Sequence, residues 1–218
     1  MILRGVKFGN HHSAGDWGLI LNQKSIDPPT PKIVSVSVDG RDGELDLSEA
    51  LTGEIKFENR RALFVFLITE GTYLDRETMI SNIYRAVHGR KLNIVIDDDF
   101  TRYLVGRCSI TEVTNNNAYG MITIEANCEP YRYLIYDIVR TIDVTSTPTD
   151  ILLSNKGVKT VTPTLKVTGT VNITFGTNTI SLSAGEYKIS DLVLKSGETL
   201  IQVQGSGTLV VTYREGIL

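Results

Sequence analysis

Only one stretch of this chain carries apolar residues at helical spacing. In Asp75-Arg-Glu-Thr-Met-Ile-Ser-Asn-Ile-Tyr-Arg-Ala-Val-His-Gly89, the residues Met79, Ile80, Ile83, Tyr84 and Val87 recur at intervals of three and four, the period of an amphipathic helix. Asp75 can cap its start and Gly89 can follow its C-cap. The spacing predicts a helix of about three to four turns with its apolar stripe against a sheet. Elsewhere the apolar residues alternate or run in short blocks between turn residues. That restricts the chain to a mainly β fold with a single helix.

The predicted strands follow from period two. Lys32–Val38 alternates, with Val34, Val36 and Val38 on one face, and Pro28, Pro29 and Pro31 before it mark a loop that cannot continue a sheet. Asp39-Gly-Arg-Asp-Gly43 reads as a turn. Glu54–Phe57, Ala62–Thr69, Leu92–Ile96, Tyr103–Val113 and Tyr119–Asn127 read as further strands, the last two joined by a tight loop at Asn115-Asn-Asn117. Pairing about that loop sets Cys108 opposite about residue 124, out of register with Cys128, so two free, largely buried thiols are expected.

After Pro130 the texture changes to Thr, Ser, Val, Leu and Gly. Strands are expected at Thr164–Thr168, Val171–Phe175, Thr179–Leu182, Glu186–Ile189, Leu192–Lys195, Leu200–Gln204 and Leu209–Tyr213. Breaks between them fall at Gly169-Thr, Gly176-Thr-Asn, Ala184-Gly, Ser196-Gly and Gly205-Ser-Gly207. Short strands at this spacing suggest a β-sandwich. The expected domains are 1–135, mixed β with the helix, and 136–218, the sandwich.

Charge and motifs exclude several function classes. Residues 1–139 hold 15 Lys+Arg and 19 Asp+Glu, and residues 140–218 hold 7 and 6. Neither part is a basic platform for nucleic acid. The longest purely apolar run, Leu63-Phe-Val-Phe-Leu-Ile68, is far short of a membrane span and reads as a buried strand. The N-terminus lacks a basic-then-apolar secretory pattern, so folding in a cytoplasm is expected.

Catalytic patterns are weak. Asp97-Asp-Asp99 is the best metal candidate, but successive strand residues alternate in direction and the spaced calcium-loop pattern is absent. His11 and His12 have no third ligand at metal spacing. Ser13 beside His12 lacks a nucleophile-elbow pattern. The carboxylate pairs Asp46/Glu49 and Glu54/Glu58 have only their spacing to support a glycosidase role. Cofactors, metal ligands and catalytic residues are therefore all expected to be none, and the chain is not read as an enzyme.

Six phrases add a resemblance: Phe8-Gly-Asn-His-His-Ser-Ala-Gly-Asp-Trp-Gly-Leu19, Val38-Asp-Gly-Arg-Asp-Gly-Glu-Leu-Asp-Leu47, Phe57-Glu-Asn-Arg60, Ile96-Asp-Asp-Asp-Phe100, Gly106-Arg-Cys108 and Cys128-Glu-Pro-Tyr-Arg-Tyr133. In this order and spacing the chain resembles the distal tail proteins of long-tailed (siphovirus) bacteriophages. The resemblance covers residues 1 to about 133, and more weakly the strand pattern beyond.

What the resemblance implies is a virion structural protein. Its N-terminal part would be a β-barrel-like domain with one helix, closing as a homo-hexameric ring, and its C-terminal part an outward galectin-like β-sandwich. The ring would join the tail tube to baseplate and receptor-binding proteins at the tail tip and pass DNA and the tape-measure protein, without sequence-specific nucleic-acid binding or membrane insertion. Assembly would take place in the bacterial host cytoplasm. Trp17, Arg41, Asp42, Glu58, Arg60 and Arg61 lie in or beside the family-like phrases and are the candidate ring contacts. The rival expectation is a carbohydrate-binding module. Against it, the aromatic residues of 140–218 are Phe175, Tyr187 and Tyr213 only, each in an apolar strand register.

Overall fold

The structure is a computed structural model and describes residues 4–218. Its elements are β1 (Val6–Phe8), β2 (His11–His12), β3 (Ile20–Ile26), β4 (Ser35–Ser37), β5 (Glu44–Asp46), β6 (Arg60–Ile68), α1 (Tyr73–Val87), β7 (Lys91–Ile96), β8 (Asp99–Asn115), β9 (Gly120–Cys128) and β10 (Arg132–Leu134). There follow β11 (Ile138–Val144), β12 (Thr149–Asn155), β13 (Thr164–Phe175), β14 (Asn178–Leu182), β15 (Gly185–Lys188), β16 (Gly197–Tyr213) and β17 (Gly216–Ile217). Contacts divide the chain into two compact units, one running to Arg132 and taking in Leu218, the other Tyr133–Ile217.

The first unit is an antiparallel sheet in the order β2-β1-β7-β8-β9-β6-β3. Strand β6 shows why: Arg60, Ala62, Phe64, Phe66 and Ile68 are buried while the residues between them are not, the alternation of a strand with one face on the core. Phe8 meets the edges of Phe64 and Phe66 at centroid distances of 5.6 and 6.1 Å, a favoured aromatic geometry.

The helix expected from spacing is α1, and it buries Ile80, Ile83 and Val87 against the core, with Met79 half-buried beside them. Its N-cap is Thr72. Asp75 is the third helical residue, and its carboxylate accepts from the Thr72 backbone N–H at 2.9 Å while the Thr72 hydroxyl accepts from the Asp75 backbone, which makes a capping box. That exchange holds the exposed Asp75 carboxyl below its ordinary pKa, the Thr72 hydroxyl first and its backbone second. Gly89 follows the C-cap with φ +74°, as its place in the sequence requires.

Two strand expectations are corrected. Glu54–Phe57 is no strand and contributes a lone bridge between Pro31 and Phe57. Cys108 faces Ala126 rather than residue 124, and Gly106 faces Cys128, because the turn falls at residues 116–119, beyond the Asn115–Gly120 pair; the bulge between Ile110 and Glu112 then brings the pairing back by one residue.

In the second unit the structure replaces short strands with long ones. Residues 164–168 and 171–175 are the halves of β13, and 200–204 and 209–213 belong to β16. Gly169, Gly205 and Gly207, predicted as breaks, lie inside these strands, with Gly169 opposite Gly207 and Gly205 opposite Val171, whereas the breaks at Gly176-Thr-Asn, Ala184-Gly and Ser196-Gly fall at strand ends as expected. A Cβ on Gly207 would stand 1.7 Å from the Thr168 carbonyl oxygen and one on Gly205 2.2 Å from that of Thr170, and both have positive φ. Only glycine permits that approach and that backbone.

Each half of the β13–β16 ribbon has its own neighbours. The first half of β13 pairs with β15 and the second half of β16, which pairs in turn with β11. The second half of β13 pairs with β14 and the first half of β16, which pairs with β12. Leu165, Val171, Ile201 and Val211, from all four halves, share one core. The result is a β-sandwich whose layers are joined through bent strands. Leu192–Lys195 contributes only the bridge of Leu194 to Val161.

Candidate functional site

Between Ile26 and Arg60 the chain leaves the sheet as a two-stranded arm. Glu58 donates its backbone N–H to the Thr30 carbonyl, Lys32 donates to that of Lys56, and β4 pairs with β5 beyond them. The alternating Val34, Val36 and Val38 are all exposed, as are Ile33, Leu47 and Leu51, the last at 98%. Around them stand Asp39, Asp42, Glu44, Glu49 and Glu58, also exposed. Exposed apolar side chains gathered on one extension are the composition that contact sites share.

The six candidate ring contacts scatter over unlike environments. Arg41 and Asp42 lie exposed at the arm's turn, and Glu58 lies exposed at its base. Trp17 is a core residue with 8% exposure, stacked on the His11 ring at 5.4 Å. Arg61 is exposed and pairs with Glu125 at 2.7 Å, an ion pair that raises the arginine pKa and lowers the carboxyl's. Arg60 is buried at the start of β6, on the core-facing side of the strand.

The acidic triplet diverges. Asp97 accepts from the Gly5 backbone N–H at 2.7 Å and faces His12 Nε2 at 3.2 Å. Asp98 pairs with Lys24 and Arg4, and the Lys24 hydrogen bond holds its carboxyl below the ordinary value. Asp99 lies between Arg102 at 3.7 Å and Arg132 at 3.5 Å. Among the described residues no His, Cys, Asp and Glu group is arranged to hold a metal.

His12 Nδ1 accepts from the Gly15 backbone, which assigns the ring proton to Nε2, toward Asp97. Ser13 beside it is fully buried, and its hydroxyl accepts from the Val6 backbone N–H at 2.9 Å. That hydroxyl is held as a structural acceptor at the open end of the β1–β2 hairpin. Of the carboxylate pairs, Asp46 is bound by the Ser48 hydroxyl and backbone, which lower its pKa, and Glu54 pairs with Lys56 at 2.9 Å. The Ser48 contacts favour the ionised form of Asp46, the opposite of what an acid catalyst needs.

Cys108 and Cys128 are free, buried thiols. Burial pushes Cys108 up to about 12 and Cys128 up to about 11, so both stay protonated and neither is a nucleophile. Cys108 reaches the floor of a cleft of about 490 Å³ with Lys91, Arg107 and Glu129 on its walls. In the second unit a cleft of about 550 Å³ is lined by Arg140, Leu152, Lys156, Glu198 and Tyr213. The Tyr213 hydroxyl there already donates to the Ser154 carbonyl at 2.5 Å. Phe175 and Tyr213 are core residues and Tyr187 packs against that core.

Two arginines outside the candidate ring contacts, Arg76 and Arg132, also hold buried or cleft positions. Arg76, on α1, is 2% exposed and donates to Asn115 Oδ1, the Gly71 carbonyl and the Asn116 carbonyl at 2.9, 2.7 and 2.5 Å. Arg132 joins Arg60 in a cleft of about 420 Å³ at the base of the arm. The signal was present for Arg60, in phase with Ala62, Phe64 and Phe66, and for Arg76, which stands four residues before Ile80 and seven before Ile83 on the buried face of α1; each phase places a cation on a core face.

No family model matches the sequence, and no curated protein matches it. Among solved structures, the chain is similar to the crystal structure of SPP1 Dit (gp 19.1), described as a paradigm of the hub adsorption apparatus in phages infecting Gram-positive hosts. The TM-score is 0.68 over 97% of this chain and 98% of that one, at 14% identity. The two share a fold over their whole lengths.

Proposed function

We propose that this chain is a structural hub protein of a phage tail tip. The observation that carries the reading is the whole-length match of both units, with almost nothing left over on either side, to a protein described as part of a phage adsorption hub. Partial matches are common among β-sandwiches, because one fold hosts many functions; a match that includes the sheet unit, the helix and the sandwich together is more specific.

In this reading six copies close head to tail into a ring through the first unit, leaving a channel for DNA and the tape-measure protein. The arm supports it: Ile33, Val36 and Leu51 are exposed on a thin two-stranded extension, as expected where a neighbouring copy supplies the missing cover. The second unit, a galectin-like sandwich, would stand outward and carry baseplate or receptor-binding proteins, the other face of the ring meeting the tail tube. The site of action is then the virion tail tip, after assembly in the bacterial cytoplasm, and the role is geometric rather than catalytic.

Native mass spectrometry with negative-stain imaging of the concentrated protein tests it. A six-copy ring with an open centre supports the hub. A protein that stays monomeric at high concentration and binds glycans through Tyr133–Ile217 would instead favour the carbohydrate-binding reading.

A further inference from the structure

The cleft at the base of the arm is bounded by Ile26, Asp27, Pro28, Pro29, Arg60 and Arg132, with Leu218 at its side. Arg60 is 6% exposed, and its Nε is buried with no hydrogen-bond partner. The Nε atoms of Arg102 and Arg132 are buried and unpartnered as well. Arg132 links the other two: it shares Asp99 with Arg102 and lines the cleft with Arg60. The Leu218 main-chain oxygen accepts from Arg132 Nη2 at 3.1 Å and leaves Arg60 unserved. Asp27 is exposed at the rim.

This arrangement is costly as it stands. A buried cation without a paired anion or a full set of acceptors is destabilising. The strain is visible on Arg60, whose pKa is pushed down first by burial and then by the neighbouring Arg132 charge. Guanidinium groups present planar, paired N–H donors that match the spacing of carboxylate and phosphate oxygens. An oxyanion in the cleft would satisfy Arg60 and separate the two positive charges.

We propose that the Arg60–Arg132 cleft is an oxyanion-binding site that takes a carboxylate or phosphate group. Two sources fit the chemistry: a free oxyanion, or an acidic side chain from the arm of a second copy, where Asp39, Asp42, Glu44 and Glu49 are exposed. The cleft lies in the first unit by itself, so a free oxyanion could fill it in a single copy, whereas the second source rests on the assembly of copies proposed above.

The experiment titrates inorganic phosphate into the full chain in phosphate-free, chloride-matched buffer, following heat of binding, melting temperature and sedimentation. The expected result is saturable uptake of one phosphate per chain with a rise in melting temperature. Arg60→Met should weaken uptake at least about tenfold, the loss typical of a charged hydrogen-bonding partner, while Lys188→Gln in the second unit should leave it unchanged. Arg60→Met should also melt no lower than the parent in chloride, because it removes an unpaired buried charge; Arg60→Lys keeps the charge without the paired donors and should bind at an intermediate level. If phosphate binds and dissociates oligomers, the resident anion is a second copy's carboxylate. If it binds without changing the mass, the site takes a free oxyanion. No saturable uptake, or equal uptake by Arg60→Met, overturns the proposal, and so does a lowered melting temperature for Arg60→Met in chloride.

Discussion

Replacing Arg76 by methionine should destabilise the first unit by about 2–4 kcal/mol. The side chain is almost fully buried in the helix's second turn, and it ties the helix to the β8–β9 hairpin through Asn115 and Asn116 and to the preceding loop through Gly71. Hydrogen bonds from a charged group contribute about 1.5–3 kcal/mol each, so three give roughly 4.5–9 kcal/mol gross. Methionine fills similar space and also removes the desolvation of a buried cation, worth several kcal/mol, which brings the net to the stated range. Position adds a little in the same direction, since a cation near a helix N-terminus opposes the helix dipole.

The assay is calorimetry of the full chain with amide exchange. The transition of the first unit should fall while that of Tyr133–Ile217 is unchanged. Exchange should quicken at Ala118 and Tyr119, whose backbones donate to Asn116 Oδ1 in the same hairpin. An Arg76→Met protein as stable as the parent, with unchanged exchange at those amides, would refute the idea that this guanidinium holds the hairpin in place.

Gly207→Ala should cost about 4 kcal/mol or more, or prevent folding of the second unit, because its Cβ would meet the Thr168 carbonyl at 1.7 Å on a backbone with φ +131°; urea denaturation followed by circular dichroism measures it. Thr72→Ala should cost about 1 kcal/mol through loss of the capping box, and the same unfolding curve reads it. The thiols give a pH dependence: both have folded pKa values raised above the ordinary 9.0, so the unfolded chain releases those protons first. Their contribution is complete below pH about 9 and falls as pH rises toward about 11–12. A Cys108→Ala/Cys128→Ala protein should lose less stability over that window than the parent, and the parent's thiols should resist alkylation at pH 8 until it is unfolded. Leu51→Ser with Val36→Ser should leave the melting temperature of the monomer within about 1 °C, since both side chains are exposed, but should abolish ring formation in native mass spectrometry.

The sequence by itself determined what local periodicity can express. The single helix is legible in Ile80, Ile83 and Val87, and Gly89 marks its end, because a 3.6-residue repeat survives whatever surrounds it. The mainly β class is legible in the same way, as is the free state of Cys108 and Cys128. Even the long strands left a trace. Ile201, Val203, Leu209, Val211 and Tyr213 keep one phase across Gly205-Ser-Gly207, whereas a true turn is free to shift it.

What only the tertiary structure decided concerns partners far apart in the chain. Glycine signals a turn and a close backbone approach alike, and the facing Thr168 and Thr170 carbonyls are what make Gly207 and Gly205 positions of approach within a strand. The alternating Val34, Val36 and Val38 look like a core strand, yet the described residues leave all three exposed. Arg60 stands in a core phase, but its pairing with Arg132, 72 positions away in the chain (132 − 60), exists only once β6 and the segment after β9 are brought to one cleft. Periodicity is a property of neighbours along the chain; charge balance, cover and close approach belong to neighbours in space, which folding alone selects.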